Sequence, residues 1–142
     1  MRKRCNRQQR PKHPPTLVAL HLAPEVSIHE RLAVEGIANG WATTVHFNQL
    51  LECADLLLLA ATEKHATSEI EIAHMGRTAL ANIHDRYHSN GKIGASGEEI
   101  KALRVLTDVS EDWWKRQSGA LFKEAVYALD RYRDVQKSGV GQ

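Results

Sequence analysis

From Ser27 to Tyr132 the apolar residues recur every three or four positions, the repeat of a helix face, and no segment alternates strictly as a half-buried strand does. Ser27-Ile28-His29-Glu30 has capping-box spacing and predicts a first helix to about Ala38, stopped by Asn39-Gly40. Thr43 or Thr44 caps a second helix through about Lys64, with Phe47, Leu50, Leu51, Ala54, Leu57, Leu58 and Ala61 on its apolar face. Leu56 and Leu59 widen that face, which makes this helix the most buried of the set. Ser68 and Glu71 predict the start of a third helix, lined by Ile72, Met75, Ala79, Ile83 and Tyr87 and closed by Ser89-Asn90-Gly91. A third box, Ser96 with Glu99, opens a fourth helix bearing Ile100, Leu103, Leu106, Val109 or Ser110, and Trp113. Around Ser118-Gly119 the pattern either breaks or continues into a fifth stretch with Phe122, Val126, Leu129 and Tyr132. Short connections return each helix beside its predecessor, so the expected fold is all-α: an antiparallel bundle of four to five helices.

Composition adds an asymmetry. The chain has 142 residues, with 19 Lys+Arg against 17 Asp+Glu. Residues 1–15 hold six bases (Arg2, Lys3, Arg4, Arg7, Arg10, Lys12) and no acid, leaving 13 bases and 17 acids for the rest, a net of −4. Pro11, Pro14 and Pro15 disfavour helix there. The expected organisation is a disordered basic arm at 1–15, one helical domain at 16–136 and a flexible tail at 137–142. Within the domain, Thr16–Leu22 is a short apolar run that suits either a strand or one helical turn. The longest apolar run, Leu56 to Ala61, is six residues, far short of the roughly 20 of a membrane span. The arm has neither the apolar core of a secretory signal nor a presequence's amphipathic pattern. Two cysteines, Cys5 and Cys53, exclude a disulfide framework and suit a reducing compartment.

Candidate chemistry is sparse. Eight histidines stand out, at 13, 21, 29, 46, 65, 74, 84 and 88. His84 and His88, four apart, share one helix face and form a candidate metal pair with Asp85, although the glutamate of HExxH is absent. His74 lies about 15 Å along the same helix and cannot join them. Glu71-Ile72-Ala73-His74 resembles the Glu-x-x-His element of ferritin-like di-iron bundles, but no second copy exists and only Glu52 is a plausible further ligand. Ala81-Asn82-Ile83-His84-Asp85 resembles the His-Asp dipeptide of HD-type metal phosphohydrolases. The resemblance implies a metal-dependent hydrolase with His46 or His65 and Asp108 or Asp130 as further ligands. The small residues that follow the dipeptide in that family are replaced by Arg86-Tyr87. Gly91–Glu98 has a phosphate loop's glycines but not its Gly-Lys-Ser/Thr order. Cys53, inside the leucine-rich second helix, reads as buried and inert.

Trp113-Trp114 is the other distinctive feature. Neighbouring helical residues point about 100° apart, so one ring is expected inside and the other at least partly exposed. With Asp108, Glu111 and Asp112 before them, the two tryptophans form the candidate partner-binding patch. Arg2, Lys3, Arg4, Arg7, Arg10 and Lys12 form the candidate nucleic-acid contact.

The opening Met1-Arg2-Lys3-Arg4, with Arg10-Pro11-Lys12-His13-Pro14-Pro15 and a helical body of modest length, resembles small accessory proteins of bacteriophages and prophages. The likeness rests on about a tenth of the chain and carries no catalytic motif. It implies a non-enzymatic protein, without cofactor, in the cytoplasm of a bacterial host. Such proteins bind and block a larger host protein or ribonucleoprotein, as anti-CRISPR proteins do. An acidic helical face would occupy a groove meant for nucleic acid. The alternative is a nucleic-acid-binding regulator that grips phosphates through the arm, and open faces with helical charge pairs also suit a homo-oligomer.

Overall fold

A computed structural model describes residues 23–140, with side chains for 27–137. The arm at 1–15 and the run Thr16–Leu22 lie outside the described residues, as do 141–142. Five helices follow one another: α1 (Ala23–Asn39), α2 (Thr44–Glu63), α3 (Thr67–Asn90), α4 (Gly97–Lys115) and α5 (Gly119–Val140). Among the described residues there is no strand.

Loops of three to six residues join them into an antiparallel bundle. The first four helices close a ring in which α1 meets α2 and α4, and α3 meets α2 and α4. α5 packs on α2, which therefore touches all four other helices. The expected burial of α2 follows from that place. Leu50, Cys53, Ala54, Leu56, Leu57, Ala60 and Ala61 are all buried, which takes most of a helix circumference out of water.

Several boundaries fall where the turn chemistry puts them. Gly40 (φ 81°) and Gly91 (φ 73°) adopt the left-handed conformation just past α1 and α3. Thr43 caps α2, and His46 Nδ1 accepts from the Thr43 backbone N–H at 2.9 Å in the place a glutamate usually takes. The Ser96 box forms: Glu99 N–H donates to Ser96 Oγ at 3.3 Å and Ser96 N–H to Glu99 Oε1 at 2.8 Å. Gly119 begins α5, with Leu121 N–H on Ser118 Oγ at 3.3 Å.

Two expected boxes do not form. Helical backbone already covers Ala23 to Val26, ahead of Ser27. Ser27 and Glu30 are consequently interior and buried. α3 begins at Thr67, so Ser68 lies inside it and bonds Glu69 Oε2 instead. Two faces also turn from the expected ones. On α3 the buried row is Ala73, Gly76, Ala79, Leu80 and Ile83, and Met75 is exposed. The turn is set by Gly76: a Cβ there would lie 2.7 Å from Leu106 Cδ2, so only a bare backbone admits α4 this closely. On α5 the buried row is Leu121, Ala125 and Leu129, and Tyr132 is exposed. α5 also continues past Lys137 to Val140, where a frayed end was expected.

Candidate interaction surface

Both rings of the Trp113-Trp114 pair are buried, at 5% and 6% exposure. The expectation that one would face solvent fails because α4 is covered on two adjoining sides. Trp114 stands edge-on against Phe122 of α5, with ring centroids 5.1 Å apart. Trp113 joins the same core, its indole Nε1 buried without a hydrogen-bond partner among the described residues. The acids of that patch are held within the chain: Asp108 and Glu111 by Arg31 of α1, and Asp112 by Arg116 at 3.1 Å. The patch is therefore core and seam, with Asp112 and Asp108 its most open members.

The α1–α4 seam covers a buried polar cluster. Glu30, from α1, meets the Cys53 thiol of α2, which sits beside the Ser110 hydroxyl of α4. Burial pushes the Glu30 carboxyl up from 4.5 to about 7, opposed by the hydrogen bond from Cys53 and reinforced by the nearby charge of Glu111. Burial likewise raises the thiol of Cys53, which makes it inert as a nucleophile. Glu111 goes the other way, down from 4.5 to about 2, chiefly because Arg31 hydrogen-bonds its carboxylate. Ser27 and Lys115 add to that effect.

A second group lies between α2 and the end of α3. His84 and His88 bring their Nε2 atoms to 3.1 Å, with His84 Nδ1 at 3.7 Å from Asp85 Oδ1. They edge a cleft of about 240 Å³ lined by Thr44, Phe47, Asn48, Tyr87 and Ile93. Among the described residues no group of three or more His, Cys, Asp or Glu converges on a point. The structure thus brings together the pair that its spacing pointed to, and leaves Asp85 beside the pair. Arg86, next in the chain, turns away to Glu99 and to the Gly94 carbonyl (3.2 Å), tying the glycine-rich loop to α3.

A feature missed from the sequence is on the outside of α1. Ile28 (57% exposed) and Leu32 (48%) stand four apart, and Gly36 continues their row. Trp41 lies across Gly36: a Cβ there would come within 2.9 Å of the indole ring. Backbone N–H groups of Trp41 and Ala42 both donate to the Gly36 carbonyl at 3.0 Å, and His46 meets the indole edge-on at 5.3 Å. The ring is thus fixed on its underside while half of it (50%) faces water. Gly36 was the available signal, since a glycine in the last turn of a helix, five residues before a tryptophan, leaves room for a ring to lie flat. No family model, no curated protein and no solved structure matches the chain. No helix among the described residues is long and apolar enough to cross a membrane. Arg2, Lys3, Arg4, Arg7, Arg10 and Lys12, the nucleic-acid candidates, lie outside the described residues.

Proposed function

We propose that the chain is a non-enzymatic accessory protein of phage type that binds a host protein or ribonucleoprotein complex in the bacterial cytoplasm and blocks it. A CRISPR defence complex is one such target. The observation that carries this reading is the Ile28–Leu32–Trp41 face. Ile28 and Leu32 on one side of α1, and Trp41 from the following loop laid across Gly36, stand open to water, while the other side of the helix is packed. Trp41 is an anchor prepared for contact, because its ring is already held by Gly36 and His46 and loses little freedom on binding. The charge outside the arm, net −4, suits a partner groove that is basic because it receives nucleic acid.

The reading is tested by affinity capture of host complexes, CRISPR effectors included, on the full chain, followed by titration of the purified partner. The expected result is a complex of fixed stoichiometry, weakened at least about tenfold by Trp41→Ala and by Leu32→Ala. Removing residues 1–15 should leave it intact. Binding to random duplex that vanishes with the arm and falls steeply with salt would replace this reading by the nucleic-acid one. Absence of any stoichiometric partner would end it.

A further inference from the structure

We infer that His84 and His88 form a chelating site for a late first-row divalent cation, copper(II) foremost, at the rim of the α2–α3 cleft. The two Nε2 atoms stand 3.1 Å apart. With metal–nitrogen bonds of about 2.05 Å, two donors at that separation subtend about 98° at a shared cation, between a square-planar and a tetrahedral angle. Spacing of i, i+4 on a rigid helix sets that bite before any metal arrives, so little side-chain freedom is lost on binding.

The surroundings suit a cation. His88 lies in the last turn of α3, where the partial negative charge of the helix C-terminus is felt. Asp85, 3.7 Å from His84 Nδ1, adds a carboxylate beside the pair. Both histidines are exposed, so a hydrated cation reaches them without opening the bundle. With no third His, Cys, Asp or Glu converging, the remaining positions belong to water or to a small ligand seated against Thr44 and Asn48. Imidazole donors select copper, nickel and zinc over magnesium and calcium, and copper binds most tightly in that series.

The test is a copper(II) titration of the full-length protein, followed by calorimetry and by amide-resolved NMR. Substoichiometric copper is expected to broaden signals of residues 84–91 and 44–48 first. His88→Asn should weaken the tightest site at least about tenfold, since it turns a chelate into a single ligand. His74→Asn, nearly three turns away on the same helix, should leave it unchanged. Broadening centred elsewhere, several sites of equal strength, or an unchanged affinity in His88→Asn would each overturn the assignment. The broadening map needs no variant, so it decides the matter even if a substitution disturbs folding.

Discussion

Helix α4 meets its two ring neighbours by opposite means. Toward α1 it presents Arg104, Asp108 and Glu111, which pair with Glu35 and Arg31 above the buried Glu30–Cys53–Ser110 cluster. Toward α3 it presents Leu106, seated over Gly76, with ion pairs only near the ends: Arg86–Glu99 and Arg116–Glu69. The apolar seam gains its energy from close contact and removal of water, which depend little on pH. In the polar seam the ion pairs stand largely open to water and contribute little each, while burial beneath them disfavours the charge of Glu30. The two seams thus divide the work: α3–α4 supplies stability, and α1–α4 supplies a sensitivity to protons.

The largest effect should come from breaking the apolar side. Leu106 is fully buried, and Leu106→Ala removes its contacts with Gly76 while leaving a cavity, a loss of about 2–5 kcal/mol. Urea unfolding measures it, and a loss below about 1 kcal/mol would show that the seam collapses onto the gap.

Next comes the buried acid. Glu30 releases its proton near 4.5 when unfolded and near 7 when folded. The folded state therefore binds the extra proton between these values. Its contribution is complete below pH 4.5 and is lost as the pH rises through 7. Glu30→Gln keeps the shape without the charge. It should be close to the parent at pH 4.5 and more stable than it at pH 8, by about 3 kcal/mol. Thermal unfolding at the two pH values checks this, and parallel pH profiles for the two proteins would refute it. The smallest effect belongs to the outer rim. Arg104 and Glu35 are both about half open to water, so Arg104→Ala should cost no more than about 0.5 kcal/mol in the same urea assay.

Much of this architecture is written in local patterns. Gly40, Gly91, Thr43 and Ser96 end or begin helices for reasons contained in a few neighbouring residues, and the number of helices follows from them. What local pattern does not contain is which side of a helix a distant element will cover. Ser27 and Glu30 have the form of a cap, yet the helix already runs ahead of Ser27, and the Cys53 thiol, itself beside Ser110, claims the carboxyl from elsewhere in the chain. Met75 has the spacing of a core residue, but the bare backbone at Gly76 turned α3 toward Leu106. The sites divide likewise. His84 and His88 are neighbours by helical arithmetic, whereas Trp114 is hidden by Phe122, beyond the next loop. Trp41 becomes prominent only because Gly36 lies beneath it.

The three tryptophans now sit in two solvent environments, and that makes the chain its own optical reporter. Trp113 and Trp114 emit from an apolar interior, so their fluorescence is shifted to the blue and shielded from dissolved quenchers. Trp41 emits from a half-wet surface, to the red and within a quencher's reach. Acrylamide thus separates the two populations without a label. Changes in the quenchable share report on the outer face of α1, and changes in the protected share report on the bundle itself.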